Sequence, residues 1–280
     1  MKWIAGVLVG MLAATAALAS ADSAAMHVSQ GEARWAARDL DGTIREYRQA
    51  LRLNPHNSEE HFNLGLALKQ KGELDEAISE YKEAIRIEPS LAEAHANIGS
   101  ILQMKGELDR AISEYREAIR LKPNLALAHA DLGGALCAKR DLDAAIPELQ
   151  TALRLNPGLA EAHRDLGFSL GLKRDLEGAI IELRKAVELN PTLLEAHLGL
   201  GNALQVKGRL DEAIVQFREG VRLSPQYATA HLDLASALFR KGNKSEAERE
   251  IAEAERLDPK IKPRTRFAQP ERVPPAAQGQ

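Results

Sequence analysis

The chain has 280 residues and a formal net charge of −3, with 45% hydrophobic, 28% charged and only 4% aromatic residues. This composition is typical of a helical array and argues against a globular enzyme built around one large core.

Residues 1–21 differ in character from the rest of the chain. Lys2 precedes an uncharged apolar run, and Ala17 and Ala19 then give the small-x-small pattern of a signal peptidase site. The sequence therefore predicts a signal peptide that is cleaved near Ala19 or Ala21, and a mature chain that is exported, periplasmic or secreted. The alternative is an uncleaved N-terminal membrane anchor, since the run is at the short end of what spans a bilayer.

The rest of the chain is organised by a repeat of 34 residues. Prolines mark its phase at positions 55, 89, 123, 157, 191, 225 and 259. A period in this range indicates a solenoid, whose units bury their apolar faces only by stacking on one another. In the copy from Ser58 to Pro89, two runs of helical periodicity are separated by Gly72, so each unit is predicted to be a helical hairpin.

One copy of the unit also carries a known sequence pattern. Its residues resemble the tetratricopeptide repeat (TPR) family, whose pattern is aromatic-x-x-Leu-Gly-x-x-Tyr, then Ala-x-x-x-Phe and a closing proline. The matching residues are His61, Leu64, Gly65, Leu68, Ala77, Tyr81 and Pro89. Histidine replaces the usual tryptophan and leucine the usual tyrosine. The resemblance implies an all-α, right-handed superhelical solenoid of about seven helical hairpins.

Departures from the repeat suggest the domain boundaries. We predict a degenerate N-terminal capping hairpin at 24–57, five regular hairpins at 58–227, a self-capping last hairpin at 228–259 and a disordered, basic, proline-rich tail at 260–280. In the last hairpin, Glu248 and Glu255 replace apolar residues. A face with such charges needs no further repeat to cover it, which favours a monomer. Within the fourth regular unit, Pro147 is expected in the first helical turn after Asp143 as N-cap.

The tail carries five basic residues against one glutamate, so the preceding residues are more acidic than the chain as a whole. Three roles remain open for it: folding back on the array, weak contact with anionic lipid, or simply solubility. We expect no nucleic-acid partner.

Histidines keep the same phase, at positions 27, 61, 95, 129, 163, 197 and 231. A metal ladder is one interpretation, but adjacent helices are roughly 8–10 Å apart and Zn–N bonds need about 2 Å. We therefore interpret these residues as packing residues between paired helices. The sequence has no nucleophile–base set, phosphate loop or Cys/His cluster, so we predict no catalytic residue, no cofactor, no metal and no enzyme activity.

The resemblance also implies a concave groove, lined by the first helix of each hairpin, that holds an extended peptide or a partner helix. Carried over site by site, the candidate groove residues are Phe62, Asn63, Leu66, Asn97, Leu127, Asp131, Arg164, Asp165, Phe168, Leu198, Asn202, Leu232, Asp233 and Ser236. If the aspartates bind ligand backbone, the ligand is expected to be extended and somewhat basic. The alternative is that the aspartates do not contact a ligand.

Two functions remain. The first is a non-enzymatic scaffold or adaptor for a protein or peptide partner in an envelope or secretion-related assembly. The second is a structural or polysaccharide-export-associated protein. Sugar binding favours exposed aromatic platforms, and Trp35 is the one tryptophan that remains after cleavage, so the protein-binding hypothesis leads.

Overall fold

A computed structural model describes residues 22–261, and all regular structure in this range is α-helix. The predicted signal peptide and nearly all of the predicted tail lie outside the described residues. The helices are α1 (22–36), α2 (Leu40–Leu53), α3 (Ser58–Lys71), α4 (Leu74–Ile87), α5 (Ala92–Met104), α6 (Leu108–Leu121), α7 (Ala126–Ala138), α8 (Leu142–Leu155), α9 (Ala160–Leu172), α10 (Leu176–Leu189), α11 (Leu194–Val206), α12 (Leu210–Leu223), α13 (Ala228–Lys241) and α14 (Lys244–Leu257). Within 22–261, no helix has both the length and the apolar character needed to cross a membrane.

The helices pack in sequence order, each mainly against its neighbours along the chain. Odd-numbered helices are the first helices of the hairpins and even-numbered helices are the second. The chain divides into two compact units, unit 1 (Met1–Lys139) with α1–α7 and unit 2 (Arg140–Gln280) with α8–α14. The prediction of an all-α helical repeat solenoid is confirmed.

Each hairpin is closed by a glycine on the first helix that lies under a large side chain of the second. In α5, a Cβ built on Gly99 would lie 2.7 Å from the Tyr115 ring. In α9, a Cβ on Gly167 would lie 2.6 Å from Leu183 Cγ. The large side chains are fully buried or nearly so, and truncating such residues costs about 3–5 kcal/mol. Equivalent contacts join Gly65 to Tyr81 and Gly201 to Phe217.

The turn after each first helix needs a left-handed residue. Gly72 ends α3 with φ of 88°, and its amide donates to the carbonyls of Leu68 and Lys69. At the same repeat position, glycine also occurs at 106, 208 and 242, whereas Arg38, Arg140 and Arg174 adopt φ of 59–66°. A non-glycine residue in this region costs about 1–2 kcal/mol, so the arginines are locally unfavourable.

A histidine brace joins the two helices of a hairpin to the preceding turn. In α9, His163 Nδ1 lies 2.6 Å from Glu182 Oε2 of α10, and Nε2 donates to the Pro157 carbonyl at 3.1 Å. Corresponding Nδ1 contacts pair His27 with Glu46, His61 with Glu80, His95 with Glu114, His197 with Gln216 and His231 with Glu250, at 2.6–2.9 Å. The histidines do lie between paired helices, but they also have a polar role that the packing interpretation missed.

Successive hairpins are linked at the surface by lysine–carboxylate pairs near the turns. Lys105 Nζ lies 2.5 Å from Asp75 Oδ1, and Lys207 Nζ lies 2.7 Å from Glu177 Oε1. The same register pairs Lys71 with Asp41, Lys139 with Asp109, Lys173 with Asp143 and Lys241 with Asp211. Exposed pairs of this kind are worth about 0–1 kcal/mol each, so they fix register more than they stabilise.

The expected cap of α8 is wrong. Asp141, not Asp143, is the N-cap residue, and its side chain accepts from the Ala144 amide. Pro147 is consequently the sixth helical residue rather than a first-turn residue, and α8 lacks the hydrogen bond that an amide at 147 would donate to the carbonyl of residue 143. The side chain of Asp143 instead pairs with Lys173.

The predicted hairpin boundaries of the capping units stay predictions. In α14, Glu248 and Glu255 are exposed, as a covering charged face requires.

Two glycines of α9 provide a matched test of the hairpin contact. Gly167→Ala forces a Cβ into Leu183 and should lower the free energy of unfolding by about 1–3 kcal/mol. Gly171→Ala places its Cβ 3.7 Å from Ala179 Cβ, an ordinary contact, and should raise that free energy by up to about 1 kcal/mol because alanine favours helix. Urea unfolding followed by circular dichroism measures both. Equal effects of the two substitutions would contradict the close-approach argument.

The chain itself supplies the control for the histidine brace, because His197 faces Gln216 where the other braces have glutamate. Glu182→Gln should keep a hydrogen bond to His163 and change stability little. Glu182→Ala leaves the buried imidazole nitrogen without that partner and should cost about 1–3 kcal/mol. Thermal unfolding of the two variants at pH 7 separates them, and an alanine variant as stable as the glutamine variant would refute the brace.

Candidate functional site

Within each unit, first helices of successive hairpins lie side by side. In unit 1, α5 contacts α7, and in unit 2, α11 contacts both α9 and α13. Each unit therefore presents a surface made of first helices, where the predicted groove residues are found.

A polar cluster lies on this surface of unit 1. Lys69 Nζ of α3 donates to Asn97 Oδ1 and to Ser100 Oγ of α5, both at 3.0 Å. Asn97 Nδ2 donates to the Glu93 carbonyl at 2.9 Å. Burial lowers the pKa of Lys69, and the negative charge of Asp131 opposes that shift. The amide of Asn97 is thus already engaged by the array, at a position where a ligand contact was predicted.

Unit 2 repeats this register with different residues. Gln205 Nε2 of α11 donates to Ser236 Oγ of α13 at 2.8 Å, in the same register as Lys69 and Ser100. Arg164 Nε donates to Asp165 Oδ1 at 2.8 Å. Burial raises the pKa of the Asp165 carboxyl, although the guanidinium of Arg164 opposes this. The predicted residues Arg164, Asp165 and Ser236 therefore all have partners within the unit.

Several predicted apolar residues also serve the array itself. Phe62 packs on Tyr81, with ring centroids 5.6 Å apart. Phe168 covers the backbone at Gly199, where a Cβ would lie 2.2 Å from its ring. Leu198 similarly occupies the space beside Gly220. These side chains are half-buried, so substituting them tests stability as well as binding.

The remaining predicted residues are more accessible. Leu127 is 58% exposed, and Asn202 is exposed as well. Half-buried positions are held by Asn63, Leu66, Asp131, Leu232 and Asp233.

Sequence reasoning missed a row of exposed apolar residues. Met104, Leu172 and Val206 are the last helical residues of α5, α9 and α11, and they are 66%, 53% and 66% exposed. The signal was present, since each occupies one repeat position and precedes a lysine. The family pattern does not include this position, and a period count aimed at buried residues passes over it.

These residues share a helix face with predicted ones. Leu172 follows Phe168 by four residues, and Val206 follows Asn202 by four, so each pair lies on one side of its helix. We call the surface with Phe168, Leu172, Asn202 and Val206 the first-helix face of unit 2. Exposed apolar groups beside polar ones are typical of surfaces that bind proteins.

Comparison with solved structures gives matches throughout this architecture. YrrB, described as "a TPR protein with an unusual peptide-binding site", is 27% identical, with 64% of this chain and 93% of that chain covered and a TM-score of 0.56. MamA from Desulfovibrio magneticus is 26% identical, with 60% and 95% covered and a TM-score of 0.54. PilF of Pseudomonas aeruginosa, at 22% identity, covers 73% of this chain and 93% of its own with a TM-score of 0.66, a likeness of fold alone.

No curated protein sequence matches the chain significantly. Family models do match. Models described as "TPR repeat" match residues 67–106 and 104–139, and models described as "Tetratricopeptide repeat" match 46–79, 130–193 and 195–260. Together these matches extend over most of the chain, in the same phase as the observed hairpins. The chain belongs to the tetratricopeptide repeat family.

Proposed function

We propose that the protein is a non-enzymatic scaffold that binds a protein or peptide partner on its first-helix surfaces. The observation that carries the proposal is the exposed apolar pair Leu172 and Val206 on the first-helix face of unit 2. TPR proteins typically bind protein or peptide partners, and the structurally similar YrrB is described as having a peptide-binding site.

The chemistry of the face indicates the kind of partner. Leu172 and Val206 offer apolar contacts at the ends of α9 and α11, and Glu161 and Glu195 are exposed near the starts of the same helices. A partner segment with apolar side chains at one end and basic side chains at the other would complement both. Because Asp165 already pairs with Arg164, the exposed glutamates are the better candidates for contacts with a basic residue.

We propose further that the protein acts outside the cytoplasm, in an envelope or secretion-related assembly. The support is the pattern of residues 1–21, with Lys2, an uncharged apolar run and small residues at 17 and 19.

Binding is tested with two matched pairs of substitutions. Leu172→Glu with Val206→Glu places charges on the first-helix face, whereas Ile181→Glu with Val215→Glu places them on second helices α10 and α12, where the native side chains are 53% and 59% exposed. Affinity capture from an envelope extract, followed by titration of the captured partner, should show at least tenfold weaker binding for the first pair only.

Circular dichroism should show that both double variants stay folded, since all four side chains are exposed. A partner lost only with the α10 and α12 variant would contradict the proposal. If no protein is captured by the native chain, the polysaccharide-associated alternative is favoured instead.

Export is tested independently. The protein expressed in its source cells is expected to begin at residue 20 or 22, as measured by intact mass and N-terminal sequencing after fractionation. Replacing Ala17 and Ala19 by bulky residues should block this processing. A chain that retains Met1 in a membrane fraction would instead support the anchor.

A further inference from the structure

Glu60 interrupts the repeat at a buried position. It is the third residue of α3, and the same position in the following hairpins is always alanine, at 94, 128, 162, 196 and 230. Those alanines are only 0–1% exposed. A carboxylate therefore stands where five other hairpins bury a methyl group.

The carboxyl group of Glu60 is buried without a full set of partners. The residue is 7% exposed, and its Oε2 atom has no hydrogen-bond partner. Burial raises the pKa of Glu60, its own backbone amide opposes the shift, and the carboxylates of Glu59 and Glu32 add to it. Buried polar groups of this kind are rare, and one that lacks a partner calls for an explanation such as a ligand.

A cavity of about 580 Å³ lies beside Glu60, between α1, the end of α2 and the start of α3 in unit 1. Its volume is within the range of small-molecule sites, about 300–1,000 Å³. The space exists in part because Val28 of α1 occupies the repeat position at which the next hairpin has the larger Phe62.

The walls of the cavity are of two kinds. Apolar atoms come from Ala24, Ala25, Val28, Ala50 and Leu53. Polar atoms come from Ser29, Glu32, Asn54, Asn57 and Glu60. Two carboxylates and no basic side chain line the cavity, so a positively charged group is attracted and an anion is repelled.

We propose that this cavity binds an aliphatic cation, an ammonium or guanidinium group on a short apolar stem, with Glu60 as its counter-charge. The cation lies against the Glu60 carboxylate and the stem lies along the alanine and valine wall. Either a free small amine or the side chain of a lysine or arginine in a peptide has this chemistry. The site goes beyond the proposed partner surface, since none of the predicted groove residues and none of the exposed apolar residues at the helix ends lines it.

The first test is calorimetric titration of the full chain with agmatine and with acetyl-arginine amide, and with butyrate and butanol as anionic and neutral controls. Either cation should bind and neither control should. Tighter binding of agmatine identifies a free amine as the ligand class, and tighter binding of acetyl-arginine amide identifies a peptide side chain.

The matched variants are Glu60→Gln, Glu60→Ala and Glu59→Gln. The first two remove the buried charge and should weaken cation binding at least tenfold. Glu59→Gln makes the same chemical change one residue away on an exposed side chain outside the cavity, and should change affinity less than twofold.

Stability provides a readout that separates loss of binding from loss of fold. Glu60→Ala installs the residue of the other hairpins, so without ligand its melting temperature should rise above that of the native chain. Agmatine should raise the melting temperature of the native chain and not that of Glu60→Ala. No cation binding by the native chain at millimolar concentration, or undiminished binding by Glu60→Ala, would overturn the proposal.

Discussion

The fold depends on the close approach of two helices at a glycine. At Gly99 and Gly167 the first helix leaves room for a large side chain of the second, and that side chain fills the hairpin interior. Because the contact recurs every 34 residues, each hairpin has one geometry and stacks on the next in one register. The histidine braces and the surface lysine pairs follow from this register, since they join atoms that the glycine contact has already brought together.

Much of this architecture was predictable from the sequence. The proline period, the small residues at Gly65 and Ala77 and the breaks at Gly72 indicate helical hairpins, and the structure confirms them. The cap of α8 was not predicted correctly, because Asp141 and Asp143 are both suitable N-caps and only the backbone decides between them. The bond between Lys69 and Asn97 joins two hairpins, so the periodicity of one hairpin does not reveal it.

The candidate site was predictable in place but not in detail. The choice of the first helices came from the family resemblance, whereas the side chains of Phe62, Phe168 and Leu198 turned out to pack partly on the array. Burial of an individual side chain depends on the size of its neighbours, as with Gly199 beside Phe168, and a repeat pattern averages such differences away. Binding chemistry is then expected where one copy departs from the others, as at Glu60, Leu172 and Val206.

The central claim is that the first helices bind and the second helices support. Hydrogen–deuterium exchange of the full chain, with and without its captured partner, tests this claim most directly. The account predicts that added protection appears in first helices such as α9 and α11, with the second helices α10 and α12 unchanged. Protection that appears mainly in α10 and α12 would contradict it.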